Sequence, residues 1–185
     1  VHLLAEGPRA REARRYWQER LDTFPHGPEL PLRRSPEGLA GQRFRRLEAV
    51  LTPEVSELLG AAARAAGVSA SALLLACFAE VLGRWSRAPR FALSVTLLDR
   101  PPIEPRVGEV VGDFSSVTLL PVDATPGSTF RQRAMSVQRE LWNGLDHRAY
   151  SAIRVARVLA RGSGRERVAP VPVVFTSLLH ALRRS

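Results

Sequence analysis

Val107 to Leu120 reads VGEVVGDFSSVTLL, and this stretch constrains the chain more than any other. Its second half, Phe114 to Leu120, is a largely apolar run of strand length, with glycine before it and Pro121 after it. Such a run reads as a buried strand. Gly112-Asp113 stands at its entrance. Glycine tolerates positive φ and aspartate bonds nearby backbone N–H groups, so the pair fits a tight turn. On residue types alone, a turn before a core strand accounts for it.

The rest of the chain alternates strands with helices. Phe91 to Leu98, FALSVTLL, is a second strand, closed by Asp99-Arg100-Pro101-Pro102. Pro172 to Ser177, PVVFTS, holds a third, short one with Thr176 and Ser177 at its end. Gln42 to Leu51 alternates apolar and charged residues and predicts a strand with one wet face. Ala13, Trp17 and Leu21 recur every fourth residue and predict a helix over 9–21. Thr52-Pro53-Glu54 is a helix start, because Thr caps, Pro suits the first position and Glu complements the dipole. Val55, Leu58, Leu59 and Ala62 form its expected buried stripe, and Gly67 ends it. Ser69 then caps a helix over 70–84, apolar nearly all round and so expected to be mostly buried. A further helix over 129–142, with Ser128 as its cap, carries Phe130, Ala134, Val137 and Leu141. After Tyr150, a last helix packs through Ile153, Ala156 and Leu159. Thr23 to Glu37 holds four prolines and one glycine and reads as a linker ordered by Phe24, Leu30 and Leu32. RGSGRER, 161–167, reads as a flexible loop.

Composition bounds what such a chain does. Its 185 residues suffice for one domain with a core, and 45% hydrophobic residues place it among globular proteins. No apolar run reaches the length of a membrane span, and the first residues turn charged at once, unlike a signal peptide. The chain lacks a starting Met, which points to a piece of a longer one. Cys77 is the one cysteine, which excludes an internal disulfide, and its setting in LLLACFAEVL predicts a small buried hydrophobe. The net charge is +9, yet all 27 basic residues are Arg and none is Lys. That bias fits a high-GC genome, and the scattered arginines lack aromatic interleaving, so no nucleic-acid partner is expected. Arg43, Arg45 and Arg46 form a cluster suited to an acidic partner such as a carrier protein.

Few residues carry chemistry. Asp146-His147 invites an acid–base reading. No Ser or Cys nucleophile is placed by sequence to join it, and a surface loop is the simpler account. Adjacent opposite charges at Asp99-Arg100 serve an ion pair or a substrate contact. Thr176-Ser177, at a strand end, either donate and accept hydrogen bonds toward a site or simply cap the strand. The sequence shows neither a metal-ligand cluster nor a phosphate-cradling glycine loop.

The order of residues is more specific than their types. VVGDFSSVTLL resembles the fifth signature motif of heterocyclization domains from nonribosomal peptide synthetases, a branch of the condensation-domain family. FPHGPELPL resembles the third motif and VSASALLLACFAEVLGRWSRAPRF the fourth. LWNGLDHRAYSAIRVARVLAR is similar to the same family, and PVVFTS matches the sixth motif without a substitution. The resemblance runs from about Tyr16 to Ser177. It implies an α/β fold: a chloramphenicol-acetyltransferase-like lobe, incomplete, with a mixed sheet covered by helices on one face. Residues 1–37 would be the lobe-connecting helix and Pro-rich linker, and 38–185 a truncated C-terminal lobe.

The resemblance also implies a reaction. A carrier-bound acyl thioester and a carrier-bound Cys, Ser or Thr are condensed, and the product is cyclodehydrated to a thiazoline or oxazoline. Thr176 carries over as the catalytic threonine; Asp113, Ser115, Ser116, Ser177, Asp99 and Arg100 carry over as candidate tunnel-lining residues. No bound cofactor is implied beyond the phosphopantetheine arms of the carriers. The expected partners are upstream and downstream carrier proteins, the missing N-terminal lobe and an adjacent adenylation domain, in the cytoplasm, with no membrane. The tunnel motif of two aspartates separated by four residues is absent, as are HHxxxDG and the last motif with its active-site aspartate. The chain alone is therefore expected to be inactive. A non-catalytic remnant or interaction module of a synthetase and a lobe of an ordinary condensation domain are the alternatives.

Overall fold

β1 (Arg90–Leu98) and β2 (Ser115–Asp123) pair antiparallel from Arg90↔Asp123 to Leu98↔Ser115, and β3 (Val174–Phe175) pairs with β1 in parallel. The sheet order is β2-β1-β3, so β1 is central and the sheet is mixed. The structure, a computed structural model, describes residues 7–33, 44–98, 106–162 and 170–179. β2 runs three residues past the expected Leu120, through Pro121. Proline has no N–H to donate, and β2 is an edge strand, where that loss is tolerated.

Successive residues of β1 point into two different cores. Phe91, Leu93 and Val95 join Leu120, Val122 and the helices α2 (Pro53–Ala66), α3 (Ala70–Trp85) and α4 (Phe130–Asp146). Ala92 joins Leu119 beneath α1 (Pro8–Arg20) and α5 (Ala152–Gly162), with Trp17, Val155 and Leu159. Helices thus cover both faces, not one as expected. The reason lies in β1 itself, whose residues 91–95 are buried without alternation, the mark of a strand covered twice.

Local chemistry sets the helix ends. Thr52 and Ser69 cap α2 and α3 as expected, each hydroxyl accepting a backbone N–H. Gly67 ends α2 at φ 72, a conformation costly for any residue with a Cβ. The cap of α4 is Thr129, not Ser128. Its hydroxyl accepts from Gln132 N while Gln132 Oε1 accepts from Thr129 N, a reciprocal capping box. Ser128 instead offers its carbonyl and hydroxyl to Arg133. α4 also runs past Trp142 to Asp146, taking in half of the Asp-His pair.

Several buried stripes differ in phase from expectation. In α2 the core takes Ala63, with Leu59 and Ala66 beside it, while Val55, Leu58 and Ala62 face outward. α5 buries Ala152, Val155 and Leu159 rather than Ile153, with Ala156 half-buried. Each helix carries apolar residues on two faces, so periodicity alone does not choose between them. α3 buries Ala72, Leu73, Leu75, Ala76 and Ala79 but leaves Val81 and Trp85 open. Cys77 is exposed, not buried. Partial burial of its sulfur and the nearby Glu80 carboxylate push its thiol up, which disfavours the thiolate. The strand expected over 42–51 is absent across its described part, 44–51, where Phe44 and Val50 are each 95% exposed. Among the described residues no strand pairs with it. In the linker, Phe24 is buried against Trp17 and Leu30 is half-buried, but Leu32 is exposed. The loop expected over 161–167 lies outside the described residues from 163 onward.

α4 rests closely on β2. Thr118 is buried with its Oγ1 unpartnered, and a Cβ on Gly144 would stand 2.5 Å from that oxygen. Glycine here is a matter of room. Gly144→Ala gains up to about 1 kcal/mol of helix propensity but incurs about 1–3 kcal/mol of overpacking against a β-branched strand residue. The expected result is a net fall in the urea unfolding midpoint, partly recovered by adding Thr118→Ala, which vacates the same space.

Candidate functional site

The ends of the three strands set out the candidate residues. β1 and β3 finish, and β2 begins, at the same end of the sheet. On the α1/α5 face, the two helices pack over Ala92 and Leu119, which lie inward of that end. Val117 and Thr96 are half-buried there, and Ser115 and Thr176 are exposed. The result is an open half-face of hydroxyl-bearing residues, floored by the buried Ser94, whose Oγ donates to Val171 O at 2.9 Å.

Thr176 follows immediately after β3. Its hydroxyl donates to Thr96 Oγ1 at 2.9 Å. Thr96 lies one strand inward, and nothing in its own sequence neighbourhood distinguishes it from an ordinary strand threonine. Only the β1–β3 register, Ser94↔Val174 and Val95↔Phe175, brings the two side chains to adjacent positions on one face.

The other expected residues separate. Ser177 points to the opposite face, its Oγ 2.8 Å from Ser71 Oγ at the start of α3. Ser116 is half-buried and shares that face with Thr118 and Leu120. Asp113 is exposed, and its Oδ1 accepts from Ser115 N at 2.8 Å, closing the turn into β2. Bonds from the Ser115 backbone N–H and hydroxyl hold its carboxyl below the usual aspartate range. Thus Thr176 and Ser115 share the open face, Ser116 and Ser177 line the other, and Asp113 serves the turn. Asp99 and Arg100 lie outside the described residues.

His147 is a structural residue. Its ring stacks on Tyr16 with centroids 3.8 Å apart, and Nδ1 lies 2.7 Å from Asn143 O. A carbonyl only accepts, so Nδ1 carries the proton. Its backbone carbonyl accepts from Trp17 Nε1 at 3.3 Å, and Arg20 lies over Tyr16 and pairs with Glu140 at 3.2 Å. His147 therefore anchors α1 to the end of α4. Two cavities lie elsewhere: one of about 20 Å³ between α3 and α4 beside Glu80 and Arg133, and an open groove of about 310 Å³ beside Met135 and Trp142. Neither is lined by a residue of the hydroxyl face. Among the described residues there is no His/Cys/Asp/Glu group suited to hold a metal, and no single helix long and apolar enough to cross a membrane.

Residues 4–180 match the family described as condensation domain. The chain belongs to that family. This condensation-domain chain is 41% identical over 179 residues to pyochelin synthetase PchF of Pseudomonas aeruginosa, covering 97% of the chain and 10% of that protein. It is 40% identical over 170 residues to phenyloxazoline synthase MbtB of Mycobacterium tuberculosis, covering 90% of the chain and 12% of that protein. Its fold matches the EpoB cyclization-docking bidomain of Sorangium cellulosum with a TM-score of 0.87 at 38% identity, over 95% of this chain and 36% of that one. The first condensation domain of the calcium-dependent antibiotic synthetase, at 24% identity and a TM-score of 0.70, shares the fold. The chain spans about a tenth of the length of these curated relatives.

Carboxyls that accept hydrogen bonds in the folded chain give a signed pH dependence. Asp113 is depressed by Ser115, and Asp123 by the hydroxyl and N–H of Thr125 and then by Arg90. A depressed folded value means the stability is complete above the unfolded aspartate value of about 3.9 and is lost as pH falls through the folded values. Urea midpoints should stay flat from about pH 7 to 5 and fall below about pH 4. The double change Asp113→Asn with Asp123→Asn, which keeps the acceptor oxygens without the titration, should flatten that fall.

Proposed function

We propose that this chain forms part of a nonribosomal peptide synthetase heterocyclization domain, with residues 1–37 leading into a C-terminal lobe over 38–185. Such a domain would first transfer the acyl group of an upstream thioester to the amine of a carrier-bound Cys, Ser or Thr, the amide C–N bond forming as the thioester C–S bond breaks and the upstream carrier's thiol leaves with the amine proton. The side-chain thiol or hydroxyl then attacks the new amide carbonyl carbon. A carbon–sulfur or carbon–oxygen bond forms and the carbonyl oxygen becomes a hydroxyl. Loss of that hydroxyl with the amide proton, as water, leaves the C=N bond of a thiazoline or oxazoline. The reactants would arrive on the phosphopantetheine arms of two carrier proteins, from an assembly that includes the second lobe and an adjacent adenylation domain, in the cytoplasm.

The observation that carries this reading is the hydroxyl of Thr176, held by Thr96 at an open strand end. Joining two tethered thioesters depends chiefly on holding them close. Ring closure and water loss require protons moved at the old carbonyl oxygen, where positioned groups matter most. Threonine is a poor base, so Thr176 orients water or a carboxylate supplied elsewhere in the domain.

In an intact synthetase domain, Thr176→Ala should leave amide formation in place while ring formation drops by about 10²–10⁴-fold. Linear product, heavier than the ring by one water, then accumulates. Thr176→Ser should retain more cyclization. Parental cyclization by Thr176→Ala, or equal loss of both steps in a folded protein, would sink the assignment. The chain by itself, given both loaded carriers, should form neither amide nor ring above the uncatalysed rate, followed by intact mass.

A further inference from the structure

We propose that Thr96 is a positioning residue for cyclodehydration, setting the rotamer and proton direction of the Thr176 hydroxyl. The inference rests on the reading of Thr176 above and extends it to a second strand.

The two residues differ in how firmly they are held. Thr96 sits in the middle strand, paired to Val117 of β2 and flanked by β3, and is half-buried. Its β-branched side chain has little χ1 freedom. Directly before it are the buried Val95 and the buried Ser94, whose hydroxyl and N–H are both bonded to the segment leading into β3. Thr176, by contrast, is exposed and follows a strand of only two residues. Left alone, its side chain would sample the staggered wells open to an exposed residue. The 2.9 Å bond to Thr96 selects one.

The bond also has a direction. Thr176 donates and Thr96 accepts. Once its proton is committed inward, the Thr176 oxygen presents lone pairs to the open face and serves there as an acceptor. Without the Thr96 oxygen, that proton can turn outward and the Thr176 hydroxyl becomes a donor as often as an acceptor. Selecting one well of about three and keeping one hydrogen bond together correspond to an effect of about 3- to 10-fold. This is well below the loss expected when the Thr176 hydroxyl itself is removed.

The test uses the intact synthetase domain with both loaded carriers, and reads amide formation and cyclization separately. Thr96→Val, which keeps shape and removes the acceptor, should cyclize about 3- to 10-fold more slowly with amide formation unchanged. Unchanged amide formation also reports that the domain is folded. Thr96→Ser should restore cyclization to near the parental rate. In a Thr176→Ala background, Thr96→Val should add no further loss, because the group it positions is gone. The proposal is overturned if Thr176→Ala blocks ring closure while Thr96→Val cyclizes at the parental rate. It is equally overturned if folded Thr96→Ser cyclizes no better than Thr96→Val, or if Thr96→Val slows cyclization further on top of Thr176→Ala. Should Thr96→Val fail to fold, the Thr96→Ser arm decides alone, parental cyclization supporting the proposal and a loss as large as that of Thr176→Ala defeating it. Parental cyclization by Thr176→Ala removes the reading of Thr176 and this inference together, an outcome distinct from all the others.

Discussion

The pairing of β1 with β2 runs the full length of both strands, and β1 also holds β3 on its other side. Every other element is placed by what β1 presents. Phe91, Leu93 and Val95 seat α3 and α4, while Ala92 receives α1 and α5 through Trp17, Val155 and Leu159. Burying a large apolar side chain contributes about 1.5–3 kcal/mol, and β1 contributes such residues to one core while giving the other a small one. The small Ala92 lets the Trp17 ring approach the sheet, and Trp17 in turn ties α1 to the end of α4 through the His147 carbonyl.

The same strand governs the candidate site. Side chains alternate across a strand, so the β1–β3 register decides which hydroxyl of the Thr176-Ser177 pair faces which core. Thr176 meets Thr96 on the face that α1 and α5 leave partly open, and Ser177 meets Ser71 against α3. A one-residue slip of β3 would exchange the two. Both residues are thereby fixed by hydroxyl partners on different elements, although the strand that delivers them pairs over only two residues.

Apolar surface remains open on this chain. Phe44, Leu47 and Val50 in the extended segment before α2, and Val55 and Leu58 on α2 itself, all face outward. This exposure of large apolar side chains runs from residue 44 to residue 58 of the chain. It accords with a chain that corresponds to 36% of the EpoB bidomain while matching its fold closely. The phase of α2 follows from the same fact. Among the described residues the only core within its reach lies under Ala63, so the larger residues on its other face stay uncovered.

How much was legible in the sequence depended on the range of the interaction. Helix starts at Thr52-Pro53 and Ser69, the stop at Gly67 and the turn at Gly112-Asp113 are local, set by hydrogen bonds within a few residues. The strands expected over 91–98 and 114–120 were nearly as plain, since a buried apolar run has few other uses. The order of residues in VVGDFSSVTLL and PVVFTS marked the family and singled out Thr176. Contacts between distant segments were not legible. Thr96 lies 80 residues before Thr176, and no local pattern marks one strand threonine as the partner of another. The same holds for Ile153 against Val155, for Cys77, and for the stacking that makes His147 an anchor. Each depends on which face of an element meets its packing partner. Except at 44–51, the sequence alone settled which described segments become strands and helices. Tertiary packing chose among their faces, because helices such as α2 and α5 offer two apolar sides and the core takes only one.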